Sequence, residues 1–288
     1  GTDSTGTLSS ADGNTGVGTG VLGALTTGDN NVAVGLNALD ANTTGQSNTA
    51  VGACALSTNT TSNSLTAVGF CALSASTGAG NTAVGDRALR LNTTGASNSG
   101  VGYLSLWSNT SGDYNTALGG SSLRYNTTAS NNVAVGHSSL ETNTTGSNNT
   151  AVGKSALLVN TTGTQNTAVG LCALDANTTG ANNVAIGVQA LDSNTTANEN
   201  VAVGRCSLFS NTEGTKNIAI GSYSLDTNST GDSNIAIGYQ ALDANTTGAT
   251  NVAVGLNSMK ANTTAGGNTA IGKDSLCVNQ TGGFLVAV

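Results

Sequence analysis

The sequence predicts an all-β protein, a parallel β-solenoid of about 16 coils with about 17 residues in each coil. Three observations predict this fold: a 17-residue repeat, short runs of strand-forming residues between Asn, Thr and Gly clusters, and the absence of proline. Proline is excluded because stacked coils must donate backbone N–H groups to their neighbours. Only 8% of the 288 residues are charged and 3% are aromatic, which is unlike an ordinary globular enzyme.

The repeat is marked by a glycine that closes an Ala-Val-Gly-like triplet. Sixteen such glycines run from Gly18 to Gly272, and their successive positions differ by 17 except for one difference of 16 between Gly69 and Gly85. The unit reads roughly N-x-A-[VI]-G-x-x-[AS]-L-x-x-N-T-T-G-x-x. Helical repeats usually need about 33 residues or more, so this unit favours strands and turns. We expect a degenerate lead-in over residues 1–16, the solenoid over 17–282, and over 283–288 either an apolar end or a truncated continuation.

Each coil is predicted to contain two short strands that enclose its core. In residues 31–35 the alternation places Val32 and Val34 on one face and Ala33 on the other. We expect the β-branched residues to face inward, against the leucine that ends the second apolar run, such as Leu39. Asn and Gly are expected at the corners because both tolerate a left-handed backbone.

The asparagine of the Asn-Thr-Thr segment is predicted to form a ladder in which side-chain amides pair from coil to coil. Its predicted members include Asn42, Asn92, Asn109, Asn126, Asn143 and Asn160. The one short interval is expected to fall in a turn, because SASTG replaces the usual segment between Leu73 and Asn81. The Asn-Thr-Thr segments are also formal N-glycosylation acceptors, but glycans on coils about 5 Å apart would collide, so turn chemistry is the preferred interpretation.

A row of alanines is the predicted contact surface with other chains. If the β-branched residues face inward, the residue between them faces outward, and a solvated strand position would be expected to vary and to carry charge. It stays alanine in nearly every coil, with Gly100 as the exception, which indicates close approach of another backbone. The predicted interface residues are Ala33, Ala50, Ala67, Ala83, Ala117, Ala134, Ala151, Ala168, Ala185, Ala202, Ala219, Ala236, Ala253 and Ala270.

The motif N-[TVI]-A-[VI]-G-x-x-[AS]-L resembles the head repeat of trimeric autotransporter adhesins, the YadA-like head. The form with Asn-Thr-Thr-Gly, as in NTAVGKSALLVNTTGTQ from Asn149 onward, looks still more like repeats of phage and other viral tail fibres. The resemblance covers residues 17–282. It implies left-handed parallel β-rolls packed as a homotrimer around a threefold axis, with the alanine row at the trimer centre.

No catalytic, metal or cofactor site is predicted. The single histidine, His137, occupies a variable surface position, and neither a phosphate-binding G-x-x-x-x-G-K-[ST] nor a calcium-binding G-G-x-G-x-D occurs. Asp175 with Asp192, and Asp226 with Asp243, are expected to stack on adjacent coils. Solvated surface residues are the preferred interpretation of these pairs, and a shared divalent cation is the alternative.

The five cysteines do not indicate a disulfide framework. Cys54 and Cys71 occupy the same repeat position on neighbouring coils, close enough to form a disulfide. Cys172 and Cys206 are two coils apart and are expected to stay unpaired. The candidates for surface recognition are aromatic residues at variable outward positions, namely Phe70, Tyr103, Trp107, Phe209 and Tyr239.

The expected function is structural and adhesive: a non-catalytic shaft of a trimeric extracellular fibre, on a virion or a cell surface, that contributes to attachment. Its expected partners are further copies of itself and a host-surface glycan or protein. A net charge of −7 argues against nucleic acid, and the absence of an 18-residue apolar stretch argues against membrane insertion of this segment.

Two other functions are weighed against the fibre. The alternative is an ice-binding solenoid, which is weakened because the commonest threonine pair, as in Thr43 and Thr44, is consecutive and lies in a predicted turn. A carbohydrate-cleaving β-helix is the third hypothesis, and it is disfavoured because the acidic residues are scattered along the chain.

Overall fold

A computed structural model of the chain describes residues 11–288. It is an all-β parallel β-solenoid of about 16 coils with the predicted 17-residue repeat, and it divides into two compact units at residues 145 and 146. Strands of the first unit are β1 Thr15–Val17, β2 Val32–Val34, β3 Thr49–Val51, β4 Thr66–Val68, β5 Thr82–Val84, β6 Ser99–Val101, β7 Thr116–Leu118 and β8 Val133–Val135. Strands of the second are β9 Thr150–Val152, β10 Thr167–Val169, β11 Val184–Ile186, β12 Val201–Val203, β13 Ile218–Ile220, β14 Ile235–Ile237, β15 Val252–Val254, β16 Thr269–Ile271 and β17 Val286–Ala287.

Consecutive strands within each unit pair in parallel, with equivalent repeat positions opposite each other. Ala50 lies opposite Ala67 in the first unit, and Ala185 lies opposite Ala202 in the second. Of the predicted lead-in, residues 1–10 lie outside the described residues, while β1 already pairs with β2. The apolar segment 283–288 contributes β17, which pairs with β16.

Each coil contains one strand, so the prediction of two strands was wrong. The second apolar run forms turns in which two residues adopt a left-handed backbone, as at Asn37 (φ 53°) and Leu39 (φ 50°). Leucine is unusual at positive φ because its Cβ crowds the following carbonyl. These turns close the coil within a few residues and point the leucine side chain into the interior, where it is fully buried.

The strand residues face opposite to the prediction. The alanines point inward and the β-branched residues on either side of them point outward, because a coil closed by tight turns is too thin for a β-branched residue opposite the leucine. The predicted interface residues are therefore interior residues, at most 1% exposed: Ala33, Ala50, Ala67, Ala83, Ala117, Ala134, Ala151, Ala168, Ala185, Ala202, Ala219, Ala236, Ala253 and Ala270. They fill the coil and are not available to another chain.

Two ladders of buried asparagines complete the core. The predicted ladder is confirmed: Asn109 Nδ2 donates to Asn92 Oδ1 at 2.6 Å in the first unit, and Asn177 Nδ2 donates to Asn160 Oδ1 at 2.8 Å in the second. A second ladder, which we did not predict, is formed by the asparagine that precedes each strand. The backbone N–H of Asn48, for example, donates to Asn31 Oδ1 at 3.0 Å. Buried amides are stable here because each is hydrogen-bonded.

The 16-residue interval lies in a turn, as predicted, since β4 and β5 keep the register of Thr66 opposite Thr82. Both ladders change at this coil. Ser76 replaces an asparagine and accepts a hydrogen bond from Asn92 Nδ2 at 3.3 Å through its Oγ atom. Leu65 replaces an asparagine of the second ladder and is fully buried.

Steric crowding explains why a glycine follows each strand. Gly35 has a φ of 132°, and a Cβ at this position would lie 2.6 Å from the carbonyl oxygen of Gly52 on the next coil. Both the backbone angle and the close approach of the neighbouring coil exclude a side chain. The spacing of this glycine therefore fixes where successive coils touch.

Candidate functional site

The outer side of the strands is a nearly apolar surface in each unit. It consists of the first and third residues of every strand, which we call the strand face. These residues are Thr, Val, Ile, Leu or Ser and never charged. They are half-buried on many coils, as at Val51 and Val68, and more exposed on others, at 37% for Val32 and 43% for Ile271. Residues at the next position after the glycine, by contrast, include Asp86, Lys154 and many others.

The aromatic residues that follow the glycine stand out from the surface. Phe70 is 46% exposed, Tyr103 is 54% exposed and Tyr239 is 48% exposed. His137 lies in the same column, is exposed, and has its Nδ1 atom 3.0 Å from Ser138 Oγ. The other two recognition candidates, Trp107 and Phe209, follow the leucine and are only partly exposed.

A basic and aromatic cluster occupies the first unit. Arg90, Trp107, Arg124 and Glu141 follow the leucine on four successive coils. Arg124 Nη1 lies 3.6 Å from Glu141 Oε1, and the guanidinium lies 4.8 Å from the centre of the Tyr125 ring. Trp107 Nε1 and Arg124 Nε are buried and have no hydrogen-bond partner.

The second unit has its own cluster of aromatic residues with an arginine. The Arg205 guanidinium lies 5.7 Å from the centre of the Tyr223 ring. Tyr223 and Tyr239 meet edge to face with ring centres 6.1 Å apart. Both distances lie within the ranges of favourable cation–π and aromatic contacts, so Arg205 has Tyr223 as an aromatic partner.

The predicted aspartate pairs lie on adjacent coils, but they are less solvated than the preferred interpretation assumed. Partial burial, and then the charge of Asp175, raise the pKa of Asp192 to about 6. Partial burial and the charge of Asp243 likewise raise the pKa of Asp226 to about 6. Within residues 11–288 no group of three or more His, Cys, Asp or Glu side chains is arranged to hold a metal ion.

Cys54 and Cys71 are free thiols at equivalent positions of adjacent coils, close enough for each other's charge to matter. Burial raises the pKa of Cys71, the neighbouring Cys54 raises it further, and Arg90 and Arg87 oppose the shift. Cys172 and Cys206 are also free, as expected for residues two coils apart. Burial, together with Asp175 and Asp192, raises the pKa of Cys172.

The Asn-Thr-Thr segments serve the fold. The asparagines are fully buried in the ladder, so a glycan on Asn42 or Asn126 is incompatible with the folded coil. The threonine next to each asparagine forms a further ladder: Thr43 Oγ1 donates to the carbonyl oxygen of Thr60 at 3.0 Å, and Thr161 Oγ1 donates to that of Thr178 at 3.0 Å. The preference for turn chemistry over glycosylation therefore has a structural basis.

The strand face is the surface that sequence reasoning missed. The alternation in residues 31–35 correctly separated two faces, but the sizes of the side chains led us to place the wrong one inside. One signal in the sequence could have corrected the assignment: an interior position allows little variation in side-chain size, and among the three strand positions only the alanine position is almost invariant.

The sequence matches no protein-family profile and no curated protein. None of the described residues belongs to a helix with the length and hydropathy needed to cross a membrane. The candidate site therefore has to be interpreted from its own geometry.

Proposed function

We propose that this protein is a structural and adhesive, non-catalytic segment of a homotrimeric extracellular fibre, carried on a virion or a cell surface, that contributes to attachment. One observation carries the proposal: an outward-facing strand face without charge recurs on every coil of both units. The proposal of three chains is based on the resemblance of the repeat to adhesin heads and tail fibres.

The strand face is large enough to support assembly. With strands about 4.8 Å apart, the face of each unit covers roughly 400 Å². An apolar patch of this area is as large as the largest patch on a typical soluble monomer, and such patches are often functional. Because the strand face repeats at equivalent positions, a second copy of the chain presents a surface of matching period.

The assembly is tested by the solution mass, measured by light scattering after size exclusion. A trimer would have three times the mass of the 28.0 kDa chain. Replacing Ile220 and Ile237 on the strand face by lysine should dissociate the assembly. The matched control replaces Leu171 and Val188, which are equally exposed but lie outside the strand face, and should leave the mass unchanged. A monomeric wild-type protein would refute the proposal.

Ice binding is a second candidate, favoured by one specific feature of the strand face. Its first column carries outward threonines on successive coils, such as Thr49, Thr66 and Thr82, each beside an outward valine. A regular array of threonine hydroxyl and methyl groups can order water. Thermal hysteresis by a monomeric protein would support this function, and its absence would remove it.

A further inference from the structure

From the structure we infer that Arg90, Trp107 and Arg124, here called the basic–aromatic column, form a binding site for an acidic saccharide, a sugar chain that bears carboxylate groups. The inference rests on the proposed role in surface attachment and assigns it a ligand class. It is carried by the position of the basic residues, by their register and by an arginine, Arg90, with which no carboxylate of the described residues pairs.

The positive charge of the first half of the chain is confined to a few coils. Between residues 1 and 145 the only basic residues are Arg87, Arg90 and Arg124, in a protein whose net charge is −7. The basic–aromatic column contains two of them, with the only tryptophan of the chain between them. A local positive patch on an acidic protein selects anions that approach this part of the surface.

The backbone fixes the register of the column. The N–H of Leu91 donates to the carbonyl oxygen of Trp107 at 3.0 Å, and the N–H of Ser108 donates to that of Arg124 at 2.9 Å. The three residues therefore lie on successive coils, with the two arginine backbones about 10 Å apart. These backbone hydrogen bonds between coils hold the three residues in fixed positions relative to one another.

Glu141 pairs with Arg124 through Nη1 at 3.6 Å, which leaves Arg90 as the arginine of the column that is free for a ligand carboxylate. Trp107 Nε1 and Arg124 Nε have no hydrogen-bond partner, and in the described part of the chain no carboxylate pairs with Arg90. Both of these atoms are buried, so the donors open to a ligand are those of the partly exposed guanidinium groups of Arg90 and Arg124.

The surroundings favour a saccharide among the possible anions. Arginine binds carboxylate through two parallel hydrogen bonds, and an aromatic ring provides a flat surface for the apolar side of a sugar ring. A further aromatic ring, that of the exposed Tyr103, lies four residues before Trp107 in the same coil. An extended peptide finds no free strand edge, because β6 is paired on both sides. Three basic residues are too few to compete for a nucleic acid backbone against the net negative charge.

The test uses the intrinsic fluorescence of Trp107, which is the sole tryptophan and therefore reports on the site alone. The probe is a linear tetragalacturonate, and its fully methyl-esterified form is the uncharged control. We expect a saturable change in emission with the acid form, weakened by salt, and none with the ester. Calorimetry should show that Arg90→Gln and Arg124→Gln each weaken binding about tenfold. Lys154→Gln removes an exposed charge in the other unit and should have no effect.

Several outcomes would overturn the inference: no saturable response at millimolar tetragalacturonate, equal binding of the ester, or equal binding by the arginine variants. A response to single-stranded oligothymidylate but not to the saccharide would assign the column to nucleic acid and refute it as well. Solution mass measured on the same samples separates this inference from the assembly. Trimers without binding overturn only the saccharide site, whereas binding by a monomer supports the site and overturns the fibre.

Discussion

Asn109 donates a hydrogen bond from its Nδ2 atom to Oδ1 of Asn92, and the same nitrogen also donates to the carbonyl oxygen of Gly112 at 2.9 Å. Both asparagines are fully buried. One side chain thus joins two coils and closes the turn of its own coil. The amide of Asn126 repeats the arrangement by donating to Asn109 Oδ1 at 2.8 Å.

Replacing Asn109 by alanine should lower the free energy of unfolding by about 2–4 kcal/mol, because it leaves buried groups on two neighbouring coils without a partner. Asn109→Ser is the matched control, since Ser76 occupies the same ladder naturally and accepts a hydrogen bond from Asn92. Guanidinium denaturation should rank the wild type above the serine variant and the serine variant above the alanine variant. An alanine variant as stable as the wild type would contradict the ladder's role.

The inward orientation of the alanines can be tested on a single strand. Ala168→Val adds two methyl groups inside a closed coil and should destabilise the protein by about 1–3 kcal/mol. Thr167→Val places the same side chain on the strand face, where Val184 stands naturally on the next coil, and should change stability by less than about 0.5 kcal/mol. Equal effects in chemical denaturation would mean that the alanine position is not confined.

Stability should increase as the pH falls from 7.5 to 5. The pKa of Asp192 and that of Asp226 are raised to about 6, so the folded protein binds more protons than the unfolded chain between the ordinary aspartate pKa and 6. The stabilisation is complete below the ordinary value and is lost as the pH rises through about 6. We expect roughly 1 kcal/mol for each aspartate pair, allowing for screening by solvent.

Thermal unfolding at several pH values measures this effect. The double variant Asp192→Asn and Asp226→Asn should be more stable than the wild type at pH 7.5 and should lose most of the pH dependence. Asp40→Asn is the control, since Gly23 and Ser57, on the coils either side, are uncharged. A wild type that becomes less stable on moving from pH 7.5 to 5 would show that other groups dominate.

Mild oxidation with a peroxide should join Cys54 and Cys71. Two thiols lose their hydrogens and two electrons to form the disulfide, and hydrogen peroxide is reduced to two molecules of water. The bridge closes a loop of one coil and should stabilise the oxidised protein by about 3 kcal/mol. Thiol titration should fall from five to three, and Cys54→Ser should abolish the effect. Loss of Cys172 and Cys206 thiols instead would contradict the stacking order.

Much of the fold follows from spacing alone. The glycine interval fixed the length of a coil, and the substitution at residues 74–78 located the short coil in a turn. The asparagine ladder was predictable because equal spacing places Asn92 and Asn109 on top of each other. The direction of the strand residues was not predictable in this way, since alternation distinguishes two faces without saying which is inside. That depends on coil width, which is set by left-handed turns at residues such as Asn37 and Leu39.

The candidate site, like the fold, was predictable from the sequence only in part. Repeat position correctly placed Phe70, Tyr103 and Tyr239 at the surface, and stacking brought the paired aspartates and Cys54 with Cys71 together. Burial of individual side-chain atoms was not predictable. The unpaired donors of Trp107 and Arg124 depend on rotamers and on the bulk of neighbouring coils, which a repeat motif does not encode.

The left-handed backbone of the interior leucines has a consequence for how such a protein changes in length. Leu39 and its counterparts adopt a conformation that costs an isolated residue about 1–2 kcal/mol, and burial of the side chain and hydrogen bonds to the neighbouring coils offset this cost. A lone coil is therefore unstable, while a coil added to an existing stack meets the same environment as every other. Folding of each unit therefore needs a nucleus of several stacked coils. Once such a stack exists, a gene duplication that inserts one whole repeat lengthens the protein by one coil.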